Sequence, residues 1–167
     1  PVNADTVGQV ITVLKAFSVF KKWQQSGIRL LLLNDVEPNW QPPAFSTYKY
    51  RNEVTVLDAR AADLPIACAA AYAGIYLPGS PVFDAAIWQT QSTSLNWIMR
   101  DWPFLQSLYA DAALFTQGSE ADLSEKMMRY YKDESIARNL QSTRQERLAR
   151  ASFPATAERI YSAIGQR

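Results

Sequence analysis

Two polar side chains, each directly after an apolar run that predicts a strand, are candidates for contact with a ligand. Asn34 follows the apolar run 28–33, and Asp58 follows the run 54–57. Parallel strands bring their carboxyl ends to one edge of a sheet, where α/β domains bind ligands. Asn34 could contact a ligand at that edge, and Asp58 with Arg60 could flank a nucleotide base. A plain turn at Asn34 and a solvent-facing loop after Asp58 explain the same residues.

The residue types that are missing exclude several kinds of catalysis. The chain has no histidine and one cysteine, Cys68. Ser-His-Asp and Cys-His catalysis and most zinc sites are therefore excluded within this chain, and we assign it no catalytic residue. Cys68 lies in an apolar run, which is typical of a small buried hydrophobe. One cysteine forms no disulfide within the chain, so we expect a reducing, cytoplasmic location, free or peripheral to the inner membrane.

Length and charge indicate one globular domain, residues 1–167, that does not bind nucleic acid. The chain has 167 residues, 48% of them hydrophobic and 20% charged, and its net charge is only +1. Basic residues alternate with acidic ones along the last third, a pattern typical of solvated helix faces. The apolar runs are too short or too interrupted to predict a transmembrane segment.

Hydrophobic periodicity predicts strands that alternate with helices. We expect strands at 28–33, 54–57, 74–77, 95–99 and 112–115. We expect helices at 5–25, 63–72, 83–91, 103–109 and from Ser119 almost to the end, with breaks near Asp133 and Pro154. The order predicts an α/β fold: a Rossmann-like parallel sheet flanked by helices, with a helical C-terminal tail. Because the chain opens on a helix, we expect a first strand and an N-terminal domain upstream.

Helix boundaries are also indicated by particular residues. Gly27 stands where a C-cap is expected after the first helix. Ser119 and Asp122 have the spacing of a capping box at the start of the long C-terminal helix.

Five stretches then carry a family resemblance. They are LKAFSVFKK at 14–22, TYKYR at 47–51, AAAYA at 69–73, ADAALF at 110–115 and MMRYYKDE at 127–134. In this order they resemble the C-terminal domain of family 4 glycosyltransferases, enzymes of two-domain GT-B architecture. The resemblance implies a nucleotide-diphosphate sugar as donor, a glycan acceptor held by an N-terminal domain, and no metal or other cofactor.

The same resemblance implies a donor site that is degenerate here. The basic residue of the family's first helix falls at Gly8, and its paired glutamates fall at Pro81 and Gln89. Phe83 agrees with the family pattern, whereas Asp84 brings a negative charge to the turn where phosphate binds. The implied donor-binding residues are Asn34, Asp58, Phe83, Asp84 and Gln89. For Asp84, capping of a helix N-terminus is the simpler interpretation.

Three functions remain open for such a domain. It could be a transferase with a rebuilt donor site, or a catalytically inactive pseudo-glycosyltransferase that acts as an interaction or regulatory module. It could also be a non-catalytic carbohydrate- or nucleotide-binding domain. Trp88, Trp97 and Trp102 bear on the choice, since they could stack on a ligand or partner, or fill a vacated cleft.

Overall fold

The fold alternates parallel strands and helices, as the sequence predicts. The structure, a computed structural model, describes residues 4–34, 39–43, 45–58, 64–79, 93–150 and 161–162. The strands are β1 (Leu30–Asn34), β2 (Val54–Asp58), β3 (Gly74–Tyr76), β4 (Trp97–Arg100) and β5 (Ala113–Thr116). The helices are α1 (Ala4–Gln24), α2 (Leu64–Ala70), α3 (Pro103–Tyr109), α4 (Glu120–Lys132) and α5 (Glu134–Arg150), with 3-10 turns at Phe45–Thr47, Arg51–Glu53 and Ala110–Ala112.

All strand pairs in the described residues are parallel, and the α/β, Rossmann-like fold class is confirmed. β1 pairs with β2, β3 with β4, and β4 with β5. The strands form two sheets, with orders β1-β2 and β3-β4-β5, where the sequence predicted a single sheet. No strand joins the two sheets within the part of the chain that is described, and the interruption lies between β1 and β3, since Leu30 and Ile75 pack against one apolar cluster.

Helix α1 bridges the two sheets. Its residues Val13 and Ala16 pack with Leu77, Ile98 and Leu123 in one buried cluster. Other α1 side chains pack with β2 in a second cluster, made by Leu14, Phe17, Phe20 and Val54. One helix thus supplies apolar contacts to both halves of the fold, which is why the interrupted sheet still shares a core.

The end of α1 differs from the sequence prediction. The left-handed residue after the helix is Gln25, with φ 47°, and not Gly27. Gln25 ends the helix itself, since its amide donates to Lys21 O at 3.0 Å. The buried ammonium group of Lys21 donates to the carbonyls of Ser26 and Ile28, which follow the helix, and pairs with Glu53.

The prediction that the first strand is covered on both faces is wrong for the described residues. Leu30 and Leu32 pack toward α1, but Leu31 and Leu33 are 38% and 42% exposed. The alternation follows from the two-residue period of a strand, and only the α1 face of β1 is well covered.

The capping box at α4 forms only in part. Ser119 Oγ accepts a hydrogen bond from the Asp122 amide at 3.2 Å. The Asp122 carboxylate turns instead to the end of β5, where it accepts from Thr116 and from the Gln117 amide. The predicted break at Asp133 is confirmed, because this residue stands between α4 and α5 and its carboxylate accepts from Ser135 N at 2.9 Å. The segments predicted around 83–91 and 153–154 lie outside the described residues.

Candidate functional site

Two of the predicted donor-binding residues meet at the carboxyl edge of the first sheet. Asn34 and Asp58 are register partners at the ends of β1 and β2. Neighbouring strands are spaced about 4.8 Å apart, so the two side chains are neighbours. Asn34 is 5% exposed, and both residues already make contacts within the fold. Phe83, Asp84 and Gln89, together with Arg60, lie outside the described residues.

The carboxyl edge of the second sheet carries a cation that sequence reasoning did not single out. Arg100 is the last residue of β4, and its guanidinium lies over the Trp102 ring at 5.7 Å from the centroid. Among the ion pairs of the described residues, none involves Arg100. A half-buried guanidinium beside an indole face can bind an anion through charge-assisted hydrogen bonds.

The acidic side chains around Arg100 are held by other donors. Asp101 accepts from Gln117 Nε2 at 2.7 Å and from Gln106 Nε2. Asp122 accepts from Thr116 Oγ1 at 2.6 Å and from Gln117 N at 2.7 Å, and it pairs with Lys126 at 3.4 Å. Both carboxylates therefore direct their oxygens to donors other than Arg100, and the guanidinium has no ion-pair partner among the described residues.

The electrostatics of Asp122 reflect these bonds. Its burial raises the carboxyl pKa, but the hydrogen bonds from Thr116 and Gln117 and the charge of Lys126 outweigh that effect and lower the pKa. Asp122 is therefore a carboxylate at neutral pH, and it ties the end of β5 to the first turn of α4.

A glycine after β5 lets the chain pass close to the guanidinium. Gly118 has φ 78°, and a Cβ at this position would lie 2.7 Å from Arg100 Nη1. Its amide donates to Thr116 Oγ1 at 3.1 Å. A larger residue here would be strained and would displace the arginine, so the local backbone is shaped around Arg100.

The tryptophans do not form one exposed patch in the described residues. Trp97 packs on the buried cluster of Met99, Leu105, Tyr109 and Ala113 and lies against Gly74, where a Cβ would clash with its ring. Trp102 is half-buried beside Arg100, and Trp88 lies outside the described residues. Trp97 therefore packs against the core, with its ring beside a glycine of the next strand.

A large apolar cavity lies at the interruption of the sheet. Its volume is about 660 Å³, and we call it the slot. It is defined by Phe20 of α1, Leu30 and Leu31 of β1, Ala70 of α2 and Ile75 of β3. Tyr130 and Tyr131 of α4 also line it, and among the lining residues that the structure describes Arg29 alone is charged. A cavity of this size could hold a ligand, but its walls offer little polar recognition.

No group of three or more cysteine, aspartate or glutamate side chains in the described ranges could hold a metal ion. None of the helices within those ranges combines the length and apolar character needed to cross a bilayer.

The sequence contained a signal for Arg100. It directly follows the predicted strand 95–99, and so stands at the same kind of position as Asn34 and Asp58. What the sequence did not reveal is that Asp101 and Asp122 turn to other donors. Compared with protein-family models, curated proteins and solved structures, the chain gives no match.

Proposed function

We propose that this chain is a glycosyltransferase-like domain that binds a nucleotide-diphosphate sugar at the carboxyl edge of its sheets. The observation that carries the proposal is Arg100, a cation at the end of β4 whose neighbouring carboxylates are engaged by other groups. The edge of a parallel sheet is where α/β domains bind nucleotides, and a diphosphate needs a positive partner.

In this proposal Arg100 takes the part of the basic residue that the family resemblance expects at Gly8. Its guanidinium would neutralise the charge that develops on the diphosphate as the sugar leaves. The indole ring of Trp102 would fix the orientation of the guanidinium group by a cation–π contact, and it would provide an aromatic surface on which the sugar or base can stack. Asn34 and Asp58 would contact the nucleotide from the neighbouring sheet edge.

The test is calorimetric titration of UDP, GDP and their common sugar conjugates into the chain and into Arg100→Gln. We expect saturable binding, weakened about tenfold or more by Arg100→Gln because a charge-assisted pair contributes about 1.5–3 kcal/mol. Arg138→Gln on α5 is the matched control, since Arg138 is exposed and distant in the chain from the β4 edge. Gln89→Ala tests the resemblance at its own position.

Equal affinity of Arg100→Gln and Arg138→Gln for every nucleotide would contradict the role of Arg100. If millimolar nucleotide does not bind at all, the donor-binding proposal itself is wrong. The second candidate function, a catalytically inactive interaction or regulatory module, is then favoured, because it requires no donor site.

A further inference from the structure

β1 and β3 are the two strands that bound the interruption of the sheet. Each stands at the end of its own sheet, with orders β1-β2 and β3-β4-β5, and both run in the same direction as their partners. Unpaired strand edges leave amide and carbonyl groups without ladder partners, and folded proteins cover or pair such edges. Two edges that face one apolar cavity therefore need an explanation.

The slot passes through the plane of the sheet. Leu30 packs on the α1 face of β1, while Leu31 points to the opposite face, and both line the slot. Its walls also include Phe20 of α1 and Ala70 of α2. A pocket above or below a sheet touches only one face, so this cavity is a gap between strands. Filled with water it would hold about twenty molecules against apolar walls, which is unfavourable.

The backbone of β3 points into the slot. Gly74 N donates to Asn96 O at 2.8 Å, so the Gly74 amide faces the β4 side. Successive residues of a strand direct their amides to opposite sides, and the Ile75 amide is therefore directed away from β4. Ile75 also lines the slot. The slot thus combines apolar walls with a backbone donor, the two features that a β-strand recognises.

The direction of α1 identifies the chain segment that fits. Near the start of α1, the two ends of the Gln9 side-chain amide lie 2.6 Å from Leu77 O and 3.0 Å from Gly79 N, just beyond the carboxyl end of β3. Near its end, Phe20 packs with Ile28, which precedes β1. α1 therefore runs antiparallel to β1 and β3, as the helix of a βαβ unit does, and a strand leading into it would end at the carboxyl edge.

We propose that the slot is the seat of a sixth strand: an apolar segment, joined to the start of α1, that lies between β1 and β3 and runs parallel to both. It would unite the two sheets in the order β2-β1-strand-β3-β4-β5, with α1 as a crossover helix to β1. A strand covered on both faces needs a continuous apolar sequence, which suits walls that are apolar on both sides. The proposal does not depend on nucleotide binding.

The test extends the chain at Pro1 by a designed apolar strand, Val-Ile-Val-Ile-Val-Gly-Ser, and compares it with a polar extension of equal length, Ser-Thr-Gln-Ser-Thr-Gly-Ser. Amide hydrogen exchange of Ile75 and thermal unfolding are measured on both. We expect the apolar extension to slow exchange at Ile75 by about tenfold or more and to raise the midpoint, because a paired amide exchanges only on opening. The polar extension should do neither.

A matched pair of variants locates the effect. Ala70 lines the slot and Ala69 does not, although both are exposed residues of α2. Ala70→Arg should abolish the protection given by the apolar extension, whereas Ala69→Arg should retain it. Unchanged exchange at Ile75 with the apolar extension would overturn the proposal. Slow exchange of the Ile75 amide in the chain without an extension would also overturn the proposal, because it would mean that residues of the present chain already fill the slot.

Discussion

Lys21 is a buried charged residue near the end of α1, and its side chain makes several contacts that contribute to the stability of the fold. It is 6% exposed, it pairs with Glu53, and it lies 5.9 Å from the centre of the Phe17 ring. Its ammonium group also donates hydrogen bonds to two carbonyls that follow α1, those of Ser26 and Ile28. A buried charge is tolerated only when such partners surround it.

Replacing Lys21 by methionine should therefore destabilise the protein. We expect Lys21→Met to lower the free energy of unfolding by about 2–3 kcal/mol, because two carbonyls and Glu53 lose their partner. Chemical denaturation monitored by tryptophan fluorescence measures the change. Lys22→Met is the control, since Lys22 is the exposed neighbour, and an equal loss in both variants would contradict the special role of Lys21.

Asp122 predicts a pH dependence. A carboxyl group whose folded-state pKa is lowered adds stability above its unfolded-state pKa of about 3.9, and that stability is lost as the pH falls through the folded-state pKa. Asp122→Asn should lower the free energy of unfolding by about 1 kcal/mol at pH 7, and the difference should shrink below about pH 4. Glu120→Gln is the control, because Glu120 lies in the same first turn of α4 and none of the bonds to Thr116 and Gln117 involves it. A constant difference from pH 7 to pH 3 would argue against the hydrogen bonds to Thr116 and Gln117.

At the scale of elements, α5 is attached to the sheet by polar contacts in the interior. Arg144 is 5% exposed and donates to Leu95 O just before β4, and its burial lowers the pKa of the guanidinium. Asn96 Nδ2 donates to Ala137 O at 3.0 Å and to the Tyr130 hydroxyl at 3.0 Å. These bonds fix α5 across the amino ends of the strands.

Truncation of Arg144 should loosen α5. We expect Arg144→Ala to lower the free energy of unfolding by about 2–4 kcal/mol, from the cavity it leaves and the unpaired Leu95 carbonyl. Arg138→Ala on the exposed side of α5 should change it by less than about 0.5 kcal/mol. Amide exchange along α5 would rise in the first variant alone. Equal exchange in both would show that apolar contacts, chiefly at Leu140, hold the helix.

Elements also show where sequence patterns succeed. The helix predicted at 103–109 matches α3 (Pro103–Tyr109), because a proline at its first position and an apolar period are both local signals. The strand predicted at 95–99 begins two residues late, at Trp97, and ends at Arg100. An apolar run does not show which of its residues form hydrogen bonds to a neighbouring strand. Leu95, for example, is buried but does not belong to β4.

At the scale of the whole molecule, α1 holds two half-sheets in one core. Its Ala16 is fully buried, at 0% exposure, against side chains of the second sheet, while Phe17 packs with the first. α2 lines the slot with Ala70 and carries Cys68, which is buried. Burial raises the pKa of its thiol, so the native state protects this group both sterically and electrostatically.

The reactivity of Cys68 should report how often the α2 layer opens. At pH 8 we expect the native thiol to react with an aromatic disulfide reagent at least about a hundredfold more slowly than in denaturant, because reaction requires local opening. The single cysteine needs no further variant for assignment. Native and denatured rates that agree would mean that α2 does not pack stably. The chain with the polar N-terminal extension is the control, and its native Cys68 thiol should react at the same rate as that of the unextended chain.

The sequence by itself determined the alternation of strands and helices, the parallel sheet, the break at Asp133 and the placing of Asn34 and Asp58 at strand ends. These follow from local periodicity and from the handedness of βαβ connections, which need no knowledge of distant contacts. Phe83, Asp84 and Gln89 stay predictions, as does the donor they would bind.

Only the tertiary structure decided which polar groups are engaged and where the sheet is interrupted. Whether Asp101 pairs with Arg100 or with two glutamines depends on side chains brought together from α3 and the end of β5. The slot likewise depends on the lateral order of strands, a property of the assembled sheet and not of any one segment. Local patterns specify an element and its faces, whereas its neighbours are chosen by packing across the whole chain.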